Sequence, residues 1–339
     1  MKHRRAQLLC DSLGHFWVDL SCALLMFSQL LGRPEWSLCV LLYNFCAFAL
    51  QMPIGLVCER LDRNSAAACV GCVLAALGWG TASVPVLAAV LAGIGNACFH
   101  VGGGIDVLNA SQKRSAALGV FVSPGAFGIY LGTLLGKTGG VPWVLPVAGL
   151  LVFGALFVAV DRFGRGCLRS GNAAVELALT GTARWGLVCC FVVVVLRSYV
   201  GLILSFPWKT GPWALAAICA VVFGKAAGGF LGDHFGMARC AGWSLGLCAL
   251  LFCFSENPWA GTAAIFLFNM TMPITLWAAA KLLPGGKGFA FGLLTFALFL
   301  GFLPVYLGWS IPTGRFTYAL GAAVSLLVLL LGLKWGKIR

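Results

Sequence analysis

The chain has 339 residues, 60% of them hydrophobic and only 10% charged, with a mean hydropathy of +0.96. Soluble globular domains carry about 25% charged residues, so this composition excludes a water-soluble fold. Twelve membrane helices of about 20 residues use about 240 positions and leave about 99 for eleven loops and two tails; no room remains for a separate soluble domain, and function is expected inside the membrane.

The N-terminus, Met1-Lys2-His3-Arg4-Arg5, has the charge of a signal-peptide start. Asp11, His15 and Asp19 interrupt the segment that follows, and no small-x-small cleavage site comes at the right distance. A retained first helix near Ser12–Leu31 is expected instead. Runs nearly free of Lys, Arg, Asp and Glu then place helices over Trp36–Cys58, Ser65–Val84, Pro85–Asn109, Ser115–Gly136 and Val141–Val160. In the second half they fall over Trp185–Trp208, Pro212–Gly232, Cys240–Ser255, Pro258–Ala280, Gly288–Trp309 and Phe316–Leu333. The expected fold is an all-α polytopic membrane protein with twelve transmembrane helices.

The formal net charge is +13. In a soluble protein this points to nucleic acid; in short membrane loops it marks the cytoplasmic side instead. With the N-terminus inside, Lys2, Arg4, Arg5, Arg60, Arg63, Lys113, Arg114, Arg162, Arg165, Arg169, Arg184, Arg239, Lys281, Lys287, Lys334, Lys337 and Arg339 are cytoplasmic, 17 in all. Arg33, Lys137, Lys209 and Arg315 lie outside, 4 in all. The asymmetry implies that both termini face the cytoplasm of an inner or plasma membrane and that the helix count is even. The 15 cysteines are scattered through apolar runs without metal-binding spacing, as buried packing residues are.

The longest connection, 161–184, is basic and separates an N-terminal six-helix bundle, 1–160, from a C-terminal one, 185–339. Internal repetition supports the split. Gly55 and Glu59 recur as Gly229 and Asp233 at an offset of 174, and Asn96 recurs as Asn269 at an offset of 173. Each asparagine is followed 23 positions later by a glycine, Gly119 and Gly292.

The run Gly229-x-x-x-Asp233-x-x-Gly236-x-x-Arg239 resembles the signature loop of the major facilitator superfamily, and Glu59-Arg60-x-Asp62-Arg63 is a looser copy. Within the superfamily, Gly93-Ile94-Gly95-Asn96-Ala97-Cys98-Phe99-His100 resembles the fourth-helix pattern of the fosmidomycin-resistance exporters, with Val101 where that branch has proline. His15-x-x-x-Asp19 and Leu196-Arg197-Ser198 resemble the same branch. The resemblance covers nearly the whole chain. It implies two six-helix bundles around a cavity that opens to each side in turn, with proton-coupled efflux of a small organic molecule as its work. It also implies that Glu59, Asp62, Arg63, Asp233 and Arg239 take part in gating.

Charges within the hydrocarbon region cost roughly 2.5–3.5 kcal/mol on insertion scales, so those that remain mark a site. His15 and Asp19 share one helix face, Asp19 as proton carrier and His15 as its tuner. Arg197 lies midway along its helix and offers a planar fork to an anion, or a partner to Asp19. Asn96 and His100 share a face of helix four, with Asp106 further toward the cytoplasm. Gly102-Gly103-Gly104 between them weakens the helix and allows close backbone approach, so either a bent or discontinuous helix or close packing through small residues is expected. Asn44 and Gln51, seven apart, are expected on one face of helix two. Lys225 snorkels or joins the loop network. The small residues Gly119, Ser123, Gly125, Gly128 and Gly132, with Pro124, form a smooth face on helix five that also resembles an antiporter motif.

No phosphate-cradling Gly-x4-Gly-Lys-Ser/Thr run occurs. No metal cluster, cofactor motif or nucleophile–base pair stands out, so an enzyme is not expected. The expected partners are a small-molecule substrate, a proton and the lipid bilayer, with no nucleic acid, and the chain is expected to be a monomer. Uptake of an organic anion by symport, a non-transporting receptor or assembly protein, and a lipid flippase on the same scaffold stand as alternatives.

Overall fold

The computed structural model describes residues 2–111, 114–164, 177, 179, 181–309 and 311–338. Much of the 161–184 connection, including Arg165 and Arg169, lies outside the described residues, as do Lys113 and Arg339. Among the described residues there is no strand. The described residues trace twelve helical segments, ten of them long and apolar enough to cross a membrane and two shorter. They are α1 (Lys2–Leu25, continued by a wide π-type turn Met26–Leu30), α2 (Trp36–Leu61), α3 (Asn64–Gly80), α4 (Pro85–Ser111), α5 (Ala116–Thr138) and α6 (Val144–Phe163). The second set is α7 (Ala183–Ile203), α8 (Gly211–Phe235), α9 (Met237–Phe252), α10 (Pro258–Leu282), α11 (Lys287–Tyr306) and α12 (Arg315–Trp335). The protein is an all-α, twelve-helix, multi-pass membrane protein.

Three local features depart from the sequence reading or decide between its alternatives. Helix α1 begins at Lys2, ten residues before the expected start, so Asp11 is helical and buried. Helix α4 runs unbroken from Pro85 to Ser111 through the three glycines. Those glycines serve close approach rather than bending: a Cβ on Gly102 would meet the Asn64 carbonyl and Ala68 of α3, and one on Gly104 would meet the Phe291 ring. Helix α2 contains a π-type turn over Phe45–Ala49, which widens the spiral and separates the faces of Asn44 and Gln51. Each of those two amides donates to a carbonyl four residues earlier in its own helix, Val40 and Ala47.

The chain clusters into two compact units. One gathers Met1–Gln112, Pro124–Val175 and Gly285–Phe296; the other gathers Lys113–Ser123, Glu176–Pro284 and Ala297–Arg339. The boundaries fall inside α5 and α11, so each unit holds the start of a helix whose remainder belongs to the other.

In the first unit, the glycine face of α5 seats on α1. A Cβ on Gly128 would strike the Phe16 carbonyl, and one on Gly132 the Leu20 carbonyl. Phe99 of α4 packs against Phe157 of α6, with ring centroids 5.6 Å apart. In the second unit, Gly224 and Gly228 of α8 abut the backbone of α10 at Phe266 and Met270. In both units small residues let backbones meet, as membrane helices require in the absence of a hydrophobic force between them. Cysteines 22, 39, 72, 190, 240 and 248 are fully or almost fully buried and unbonded to one another, as packing residues. Trp143, Trp185, Trp259 and Trp309 are exposed at or near helix ends, where an interfacial belt places them.

Candidate functional site

Helices α1 and α4 each place a polar pair four residues apart on one face, and in the first unit the two faces meet. Asn96 Nδ2 donates to Asp19 Oδ1 at 2.9 Å. His15 Nε2 lies 3.2 Å from Asp19 Oδ2, and His100 Nε2 lies 3.7 Å from Asp19 Oδ1. The two imidazoles face each other edge to face, with Nε2 to Nε2 at 2.9 Å. His100 Nδ1 lies 2.8 Å from the Asn96 carbonyl. A carbonyl only accepts, so His100 Nδ1 carries a hydrogen. All four side chains are buried.

Aromatic and glycine packing encloses this cluster. Phe99 sits against both imidazoles, with centroids 6.1 Å from His15 and 5.3 Å from His100. Behind the His15–Asp19 pair stands Gly125 of α5, where a Cβ would collide with the His15 ring and the Asp19 carboxylate. Proline at 124 leaves α5 continuous from Ala116 to Thr138. The Pro124-Gly125 step therefore brings bare backbone against the His15–Asp19 pair.

Asp106, the fifth candidate in this unit, lies apart from the cluster. Its carboxylate accepts from Asn64 Nδ2 at 2.9 Å, Ser65 Oγ at 3.0 Å and Gln7 Nε2 at 3.4 Å. Gln7 also reaches Asp11 Oδ1 at 3.3 Å. Gln7, Asn64 and Ser65 carry no signal in the sequence, and Asp11 reads there only as an interruption of the first apolar run; the early start of α1 and the first turn of α3 bring them to Asp106. Asp11 Oδ2 and Asn64 Oδ1 are buried with no hydrogen-bond partner.

In the second unit Arg197 is buried on α7 with Nη1 unpartnered. It opens on a cavity of about 120 Å³ whose lining includes Lys209, Val221, Phe268 and Asn269. Two cationic side chains and an amide around one small cavity suit an anionic group. Lys209 reads in sequence as an ordinary outer-loop charge, and Asn269 only as the repeat of Asn96; neither announces a site. Lys225 does not join this cavity. Its Nζ reaches the Val122 carbonyl of α5 at 3.3 Å.

The signature-loop acids meet helix ends. In the first unit the Glu59 carboxylate accepts from the backbone N–H groups of Lys287 and Gly288, each at 2.8 Å. In the second, Asp233 accepts from the N–H groups of Ser115 at 2.6 Å and Ala116 at 2.9 Å, and from Ser115 Oγ at 3.0 Å. Each acid thus neutralises the N-terminal dipole and orphan donors of one helix, α11 or α5. The repeated glycines explain the close fit: a Cβ on Gly55 would strike Gly288, and one on Gly229 would strike Ser115 and Ala116. Asp62 ends α2 in a left-handed conformation, φ 49°, beside exposed Arg63, and Arg239 is exposed in the first turn of α9.

No family model matches the sequence, and no curated protein matches it either. Solved structures do. A variant of the Escherichia coli fucose:proton symporter FucP superposes with a TM-score of 0.67 at 16% identity, over 96% of this chain and 97% of that one. A major facilitator superfamily transporter, FucP in the outward conformation, gives 0.66 at 15% identity, over 98% of both chains. The human organic anion transporter MFSD10 gives 0.69 at 15% identity, over 96% of this chain and 99% of that one. The fold is that of major facilitator superfamily transporters.

Proposed function

We propose that the protein is a secondary active transporter that moves a small organic molecule across an inner or plasma membrane by alternating access, coupled to protons and without chemical conversion of its cargo. The observation that carries this reading is the buried Asp19–His15–His100–Asn96 cluster. A carboxylate held among two imidazoles and an amide, sealed from lipid, is a place to take up and release a proton. The fold supports the reading, since the similar structures include a fucose:proton symporter and an organic anion transporter. In this reading 1–160 and 185–339 are the two bundles, 161–184 is their cytoplasmic linker, and Glu59 and Asp233 act as gates. The chain works as a monomer.

Efflux by antiport follows from the likeness of His15-x-x-x-Asp19 and the α4 pattern to the fosmidomycin-resistance branch. A specific observation favours the second reading, uptake of an organic anion by symport: the cavity at Arg197 and Lys209 is cationic. The test is flux by purified protein in liposomes under an imposed pH gradient, with a panel of organic anions, sugars and cationic drugs. Gradient-driven flux of at least one cargo is expected, and Asp19→Asn is expected to abolish the pH dependence. A variant that keeps the wild-type pH response removes Asp19 from the coupling. The sign of flux against the gradient separates antiport from symport.

A further inference from the structure

The geometry of the His15, Asp19 and His100 side chains reaches beyond a proton. One ligand atom from each residue lies within 4.8 Å of the others. The separations are 2.9 Å between the two Nε2 atoms and 3.2 and 3.7 Å from them to the Asp19 oxygens. Around a four-coordinate ion with bonds of about 2.0–2.2 Å, neighbouring donors stand about 3.3–3.5 Å apart. Nothing in the sequence shows this set, because it joins an i, i+4 pair from α1 to a single histidine 85 positions from His15.

The surroundings orient the ligands as metal sites do. His100 Nδ1 donates to the Asn96 carbonyl, which fixes the ring and turns the Nε2 lone pair toward His15 and Asp19. Asn96 Nδ2 holds the carboxylate. Bare backbone at Gly125 leaves the space for the pair. His15, Asp19 and His100 are 6%, 6% and 9% exposed, so the three gathered donors are almost closed off from solvent.

We infer that His15 Nε2, His100 Nε2 and the Asp19 carboxylate form a binding site for a divalent transition-metal ion. Two imidazoles and one carboxylate suit the zinc, cobalt and nickel class rather than magnesium or calcium, which take oxygen donors. The metal and the proton compete for the same lone pairs, so metal affinity falls as pH falls. The inference shares its residues with the transport reading but does not depend on transport.

The experiment titrates Co²⁺ and then Zn²⁺ into the purified full chain in detergent, reading ligand-field absorption, calorimetry and thermal unfolding. One ion per chain is expected, with affinity rising from acid to neutral pH. His15→Gln and His100→Gln should each weaken binding at least about tenfold, and Asn96→Ala roughly 10–100-fold as an outer-shell loss. His234→Ala, on an exposed helix end, should change nothing. X-ray absorption on the wild type, which needs no variant to fold, should find two imidazoles and carboxylate oxygen around the metal. Absence of binding by the wild type, a metal shell without imidazole, or binding that survives His15→Gln with His100→Gln overturns the inference. Such a failure with pH-driven flux intact leaves the proton reading standing; metal binding without any flux does the reverse.

Discussion

Among the single residues, Gly125 makes the sharpest demand. Its missing side chain is what allows α5 to lie against His15 and Asp19, so Gly125→Ala must push the helix away or break the His15–Asp19 contact. Overpacking of this kind costs roughly 1–3 kcal/mol. We expect Gly125→Ala to lower the unfolding temperature and to abolish pH-driven flux, whereas Gly80→Ala, with nothing near its Cβ position, changes neither. A fully coupled Gly125→Ala variant would mean that the pair tolerates displacement and that its geometry is not what couples. Arg197 makes a second demand. Its buried Nη1 has no partner, and an unpaired guanidinium at that depth is costly unless something anionic completes it. Arg197→Lys keeps the charge but loses the fork; apparent affinity for an anionic cargo should fall about tenfold or more with turnover less affected, read from the concentration dependence of flux in liposomes. An unchanged affinity would move the anion site elsewhere.

At the level of helices, the two acid caps are one device used twice. Gly55 with Glu59 and Gly229 with Asp233 occupy equivalent positions, and each pair receives the start of one helix, α11 or α5. Removing a cap from exposed helices costs roughly 0.5–2 kcal/mol, and a carboxylate opposed to two buried N–H groups belongs at the upper end. If alternating access requires these helix starts to leave the acids, Asp233→Asn and Glu59→Gln should change the transport rate more than the substrate affinity. Unchanged turnover in both variants would reduce the caps to packing. This device was largely legible in sequence, because the glycine–acid spacing repeats and repeats mark equivalent positions. Other features were not. The glycine triplet of α4 fits a break as well as close packing in sequence, and only the structure decides for packing, with α4 helical throughout and α3 and Phe291 filling the space that side chains would have taken. The wide turn in α2 has no local signature, and it undid the seven-residue argument for Asn44 and Gln51. Asp106 stands out in sequence as a charge in an apolar helix, but its partners come from the early part of α1 and the first turn of α3, which no periodicity connects.

For the molecule as a whole, sidedness rests on each of the twelve traverses crossing. Ten helices satisfy length and hydropathy, while α3 with 17 residues and α9 with 16 fall short of the usual span. At 1.5 Å per residue they are about 24–26 Å long, against a hydrocarbon core of about 30 Å. They hold equivalent third places in the two halves, so their shortness is a shared property of the repeat rather than an accident of one loop. Short spans are accommodated by local thinning and by flanking residues that reach the interface. Arg63 stands at the start of α3 and Arg239 in the first turn of α9, both exposed, in position to anchor one end at headgroup depth. If α3 alone did not cross, every segment from Thr81 to the C-terminus would change sides; if α9 also failed, the inversion would end there, and in either case Arg162 and Arg184 would face outward against the charge rule. We therefore expect reporter fusions after Arg63 and after Ser83 to signal opposite sides, cytoplasmic and then outer, and fusions after Arg239 and after Glu256 to do the same. Fusions within 171–181 and at Arg339 should both report the cytoplasm. Matching signals across either short helix, or an outer-side signal at the linker or the C-terminus, would replace the twelve-crossing topology with one that leaves a short helix on one face of the bilayer.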